Sequence, residues 1–186
     1  MALGSTGYNL VHSQVAPKGD TPTFTDIPYA TTAEFSVDQD NEYFRADGGV
    51  KVTAYGAREG SGSLGFGSAD LQVISTLSGD TFSTSGTTPA IVDRLEVGSS
   101  TQPPSVILSI WVPNVDGNSD SAGLQITLPN AKVAMPSATY EQESWTEFEA
   151  DLAFVSDEND VMMIMESLET APTFTAGVIP VTLPSP

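Results

Sequence analysis

Apolar and polar residues alternate with a period of two along much of the chain. From Tyr29 onward, Thr31, Ala33, Phe35 and Val37 fall on one side, while Thr32, Glu34, Ser36 and Asp38 fall on the other. That is the pattern of a strand buried on one face. A second strand is expected over residues 50–58, and further strands over 91–97, 106–112, 124–128, 131–135, 144–155 and 161–168. Turn-forming residues separate them: Pro103-Pro104, Asp116-Gly117-Asn118, Pro129-Asn130 and Asp157-Glu158-Asn159.

One segment has the period of a helix. Leu71, Ile74 and Leu77 make a single apolar stripe, Ser68 is placed to cap it, Asp70 suits the positive end of the helix dipole, and Gly79 supplies a left-handed stop. The spacing predicts one helix over 68–78, lying against the sheet. Residues 1–28 carry few large apolar side chains and are interrupted by Pro17, Pro22 and Pro28, so they are expected to form an extended arm. Residues 169–186, with Pro172, Pro180, Pro184 and Pro186, lose the alternation and are expected to form a second arm. The β body is therefore placed at 29–168. A mainly β fold, a β-sandwich or partial barrel with one flanking helix, follows from these elements and from 16 Gly and 13 Pro spread over 186 residues.

The clearest alternation lies in Trp145-Thr146-Glu147-Phe148-Glu149-Ala150-Asp151-Leu152-Ala153-Phe154. Thr146, Phe148, Ala150, Leu152 and Phe154 share one face; Glu147, Glu149 and Asp151 stand in a row on the other. Three like charges along one strand gain nothing for folding, so the row is either a solvated face or a surface meant to stay negative. Met162, Met163, Ile164 and Met165 put apolar groups on both faces of the next strand. Such a strand is central in a sandwich or is covered by a neighbouring subunit.

Charge narrows the function classes. With 24 acids against 6 bases the formal charge is -18. The chain therefore lacks the Lys and Arg that neutralise phosphates in nucleic-acid binding, or that attract a protein to an anionic membrane surface. There is no cysteine and a single histidine, His12, which excludes disulfides, thiol nucleophiles and Cys-ligated metals. The opening residues lack the basic and apolar segments of a signal peptide, and no run is long and apolar enough to span a bilayer.

Three motifs resemble chemistry. Gly60-Ser61-Gly62-Ser63-Leu64-Gly65 matches G-x-G-x-x-G, but the capping signals start the helix at Ser68, beyond the motif, and no series of βαβ units follows. A mobile loop carrying Gly60, Gly62, Gly65 and Gly67, used in assembly, fits better. Asp116, Asn118 and Asp120 alternate as calcium ligands do, yet position six is Ser121 and position twelve is Thr127 where Gly and Glu are needed. For an enzyme, His12 has no second histidine to assist it, and no pair among the carboxylates stands out. The expectation is a protein without catalysis, cofactor or metal.

Taken in order, these elements resemble the tail tube (major tail) protein family of long-tailed bacteriophages. The resemblance covers residues 29–168. It rests on the acidic alternating strand, the hairpin ending at the Gly-rich stretch 60–67, the helix ending Leu77-Ser78-Gly79, and the closing two-strand unit from Trp145 to Leu168. It implies subunits joined head to tail in hexameric rings, stacked into a tube within the virion. The acidic lumen of that tube conducts DNA during ejection without binding it. Tape measure and tail-terminator proteins are the implied partners, and assembly would occur in the host cytoplasm. Glu147, Glu149 and Asp151, with Glu34 and Asp38, become the expected lumen lining. The arms and the 60–67 loop are expected to order on stacking. No immunoglobulin-like C-terminal module is visible. A capsid decoration or head–tail joining protein shares the same features. A carbohydrate-binding sandwich would need an aromatic platform, for which Trp111 and Trp145 are the tryptophans available.

Overall fold

The structure is a computed structural model, and the residues it describes are 12–19, 21–46, 49–67, 70–113, 122–139 and 147–170, with 181 and 183. In chain order the elements are β1 (His12–Pro17), β2 (Thr25–Asp26), β3 (Ala30–Ala46), β4 (Gly49–Phe66), α1 (Leu71–Ser78), β5 (Thr81–Ser85), β6 (Val92–Glu96), β7 (Val106–Pro113), β8 (Gly123–Val133), β9 (Ser137–Thr139), β10 (Glu147–Phe154) and β11 (Ile164–Leu168). The expected mainly β fold with one helix is what the chain adopts. Among the described residues, nine strands form one antiparallel sheet in the order β2-β1-β7-β8-β10-β4-β3, with β11 beside β8 and β9 beside β10. β5 and β6 make a separate two-stranded ribbon.

The sheet bends so that one of its faces closes on itself. Val15 from β1, Leu108 from β7, Leu64 and Phe66 from β4, and Leu152 and Phe154 from β10 all belong to one buried apolar cluster, although they come from opposite halves of the sheet. Aromatic pairs tie the β10 end together: Phe66 stacks on Phe148 with centroids 5.6 Å apart, and Phe35 meets Phe154 edge-on at 6.2 Å. α1 adds Val73, Ile74 and Leu77 to the same cluster.

Several sequence expectations are corrected. The stretch 60–66 is not a loop but the second half of β4, paired to β3 on one side and β10 on the other. Glycine sits there because larger neighbours occupy the space. A Cβ on Gly60 would collide with the Phe154 ring, and one on Gly62 with the Glu34 carbonyl. Gly67, just past the strand, donates its N–H to the Tyr29 carbonyl at 2.8 Å. The helix cap is Asp70, whose carboxylate accepts from the N–H groups of Gln72 and Val73 at 2.9 and 3.3 Å, whereas Ser68 lies outside the described residues. Gly79 does close the helix, at φ 79. Part of the expected N-terminal arm is core: Val15, Ala16 and Ile27 are buried, and β1 lies inside the sheet between β2 and β7. Pro129-Asn130 is not a turn, because β8 runs through it across a register shift opposite β7. The Met strand is β11, which pairs only with β8 among the described residues; Met162 and Met163 pack on the core and Met165 is exposed. Asp116, Asn118, Asp120 and Trp145, like most of the expected C-terminal arm, lie outside the described residues.

A buried carboxylate fastens the helix to the ribbon. Asp80 accepts from the Gly98 N–H at 3.1 Å, and its own carbonyl accepts from the Ser75 hydroxyl at 2.6 Å. The Gly98 N–H first, then the hydroxyls of Ser78 and Thr101, hold the Asp80 carboxyl below its ordinary 3.8 against the opposing effect of burial. A carboxyl depressed in the folded state stabilises above its unfolded value and loses that contribution as pH falls through the folded value. Asp80→Asn is therefore expected to lower the denaturant midpoint at about pH 7, with the gap to the parent protein closing only as pH falls below the ordinary 3.8. A gap of constant size would show that the carboxylate charge is not what holds the junction.

The Gly60 contact yields a second expectation. Gly60→Ala should cost about 1–3 kcal/mol by overpacking against Phe154. Gly56→Ala, whose Cβ meets Asp40 at an ordinary 3.4 Å, should stay within about 0.5 kcal/mol. Urea melts of the two variants make the comparison.

Candidate functional site

β10 alternates from end to end. Phe148, Ala150, Leu152 and Phe154 are buried, while Glu147, Glu149, Asp151 and Ala153 are exposed. Antiparallel partners share a face, so the register extends this division across β4 and β3. Asp151 pairs with Ser63, and Ser63 with Glu34; Glu149 pairs with Gly65, and Gly65 with Thr32; Ala153 pairs with Ser61, and Ser61 with Ser36. One step further along, Glu59 pairs with Asp38. The two groups of acids picked from separate stretches of sequence, Glu34 with Asp38 and Glu147 with Glu149 and Asp151, therefore lie on one solvent-facing surface of three adjacent strands.

The surface has a definite relief. Neighbouring strands are about 4.8 Å apart, so the β3 and β10 acids form two ridges roughly 10 Å from each other. Between them the β4 row offers only Ser61, Ser63 and Gly65. Along β10 successive acids are about 6.7 Å apart, and two unit charges at that distance repel by about 0.6 kcal/mol in water before screening. The ridges lie about a Debye length apart, so their fields overlap only in part at physiological salt. Among the described residues no group of three or more His, Asp or Glu side chains is placed to hold a metal ion. The acids form a spread-out negative wall and not a chelating cage.

Sequence reasoning missed Glu59 and the small-residue floor. The signal was present: Gly60, Gly62, Leu64 and Phe66 keep the inward phase of the strand while Ser61, Ser63 and Gly65 keep the outward one. It also missed Lys132, an exposed cation on β8 opposite Ala153 and hence on the same face. Elsewhere, His12 pairs its Nδ1 with the Asp26 carboxylate at 3.3 Å. Trp111 is only 5% exposed, which removes it as a carbohydrate platform. The Asp157 carboxylate accepts from the N–H groups of Asn159 and Val161, at 2.9 Å each, and shapes the turn into β11.

No protein-family model matches the chain, and no curated protein matches it. Among solved structures the chain is similar to one from the cryo-EM structure of an extracellular contractile injection system, the PVC sheath–tube complex in its extended state. The two share 13% identity over 89% of this chain and 93% of that one, with a TM-score of 0.47. A likeness at that level fixes neither the family nor the role of this chain.

If the wall is solvated charge that folding does not need, replacing Glu147, Glu149 and Asp151 together by Gln should leave stability within about 0.5 kcal/mol per site. The variant should melt slightly higher than the parent at low salt, and the difference should vanish as salt is added. A large loss of stability would mean that these carboxylates hold the fold.

Proposed function

We propose that the chain is a structural protein whose copies join head to tail into rings that stack as a tail tube, with the acidic face of β10, β4 and β3 turned to the lumen. The observation that carries this reading is the gathering of Glu34, Asp38, Glu59, Glu147, Glu149 and Asp151 on one sheet face beside two unpaired strand edges. β3 bonds only to β4, and β9 only to β10, among the described residues. β8 ends and β9 begins along the same side of β10, bridged by the Ala134 N–H to the Asp151 carbonyl at 2.8 Å. Each copy thus offers four strands of alternating direction: the 131–139 segment, β10, β4 and β3. A copy added head to tail brings its β3 antiparallel to the neighbour's β9, and the alternation continues without a break around a closed ring. Closure removes the edges, which otherwise invite aggregation.

Magnitude favours a large ring. Strands about 4.8 Å apart and tilted about 40° give six copies, or twenty-four strands, a barrel about 48 Å across its backbone. That leaves room for a DNA duplex after side chains are subtracted. Three copies would give about 24 Å, which the side chains would largely fill. A wall of carboxylates repels the phosphates of a passing genome and leaves nothing for them to adhere to. The part of the β3–β4 hairpin beyond Glu59 has no third strand among the described residues, since β10 stops opposite Gly60. Such a two-stranded ribbon, roughly 30 Å long, is marginal by itself and suits a contact with the next ring.

A decoration or joining protein would share the charge but not the tube. Negative-stain microscopy of the concentrated protein is expected to show tubes with a central channel. Changing Glu147, Glu149 and Asp151 to Lys should keep the tubes and make them hold duplex DNA at low salt. Binding should weaken with a log–log salt slope of about -0.9 for each phosphate neutralised. Parent tubes that bind DNA tightly would take the acids out of the lumen; isolated trimers in place of tubes would take the whole reading with them.

A further inference from the structure

The acidic face carries one anomaly, Lys132. Resting on the tube reading above, we infer that Lys132 is an intersubunit latch: it lies beside Glu34 or Asp38 in the row of acids on β3 of the next copy and sets the direction in which copies join.

The placement follows from the register. Lys132, Ala153, Ser61 and Ser36 form one row across β8, β10, β4 and β3, all exposed on the same face. Lys132 stands at one end of that row. The β3 residues stand at the other, on the free edge, with Glu34 and Asp38 two residues to either side of Ser36. The inner end is also open. Ala131 is paired with Val106 of β7, but beyond it the outer side of the 132–139 segment bonds to no strand among the described residues. The strand tilt of about 40° staggers successive copies by about four residues, so when a second copy sets its β3 there Lys132 falls opposite Thr32 or Asp40, with Glu34 or Asp38 as a diagonal neighbour on the same face, about 7–8 Å away at Cα. A lysine side chain spans that gap. Should the strands shear by two residues, Lys132 faces one of the two carboxylates directly.

The charge pattern is otherwise costly to explain. A free edge lined by acids keeps identical copies apart, because edge-to-edge pairing of β3 with β3 would bring like charges together. Pairing β3 with the Lys132 side replaces that repulsion with attraction, so charge selects the head-to-tail contact over the two-fold one. None of the ion pairs among the described residues uses Lys132; they are His12–Asp26, Lys18–Glu158 and Arg94–Glu96. Held beside a carboxylate, Lys132 also stops being an uncompensated cation on a DNA-facing wall.

The test is a charge swap in the full chain. Lys132→Glu should raise the critical concentration for assembly about tenfold or more, with the defect shrinking as salt rises. Combining Lys132→Glu with Glu34→Lys or with Asp38→Lys should, for one of the two pairs, restore assembly to within about threefold of the parent, although each β3 variant alone impairs it. Circular dichroism and melting of the unassembled variants, all changed at exposed positions, should match the parent. Parent tubes together with a swap that restores nothing would overturn the latch and leave the tube intact. Absence of tubes from the parent protein itself would overturn both.

Discussion

The Phe154 ring occupies the space that a side chain at position 60 would fill, and much of the molecule follows from that contact. β10 supplies bulk to the core through Phe148, Leu152 and Phe154, while β4 opposite supplies Gly60 and Gly62. The register between the two strands is fixed by this match of large against small. Because a strand has a period of two, a slip of one residue would carry Glu147, Glu149 and Asp151 into the apolar core and turn the phenylalanines outward. Burying unpaired carboxylates costs several kcal/mol each. The acidic face is therefore locked in place by packing on the other side of the sheet, without any interaction among the acids themselves.

This division of labour explains which features were legible in the sequence. β10 could be read directly because each of its faces is chemically uniform. The second half of β4 could not, since Gly60, Gly62 and Gly65 carry the usual marks of a loop, and their reasons for being small lie on other strands: Phe154 of β10 for Gly60, Glu34 and Thr32 of β3 for Gly62 and Gly65. β1 was hidden for a different reason. Ser13 and Gln14 are polar yet fully buried, as are Ser109, Gln125 and Thr127 across the sheet. The Gln125 amide and the Thr127 hydroxyl both bond to the Ser109 hydroxyl, at 3.1 and 3.2 Å. A strand buried on both faces with a satisfied polar layer has no alternation to detect. Pro129 is a strand residue for a local reason as well, because the register shift against β7 spares it a ladder hydrogen bond.

The candidate site was half legible. Each acidic stretch could be found alone, but that Glu34 and Asp151 share a row through Ser63 is a fact of strand order. Nothing near either residue in the chain indicates that β4 lies between β3 and β10. Lys132 was overlooked because a single lysine in a polar position carries no pattern, and its meaning comes only from the strand that it begins to leave uncovered.

Charge and edge chemistry then have to be considered together. A formal charge of -18 on 186 residues gives free copies strong mutual repulsion, which opposes unspecific association while they are dilute. Assembly into the proposed tube would require a contact that gains more than this repulsion costs, and continuous backbone hydrogen bonding along an open edge would provide it without adding apolar surface to the free subunit. The side chains beside that edge then decide which partner edge is accepted. In that proposed tube, acids on β3 and a cation beside β9 would permit one pairing of the three that two edges allow. A tube that grows without branching needs that selectivity as much as it needs affinity, and the carboxylates proposed to enforce it on the edge belong to the same acidic face that extends inward across β4 and β10.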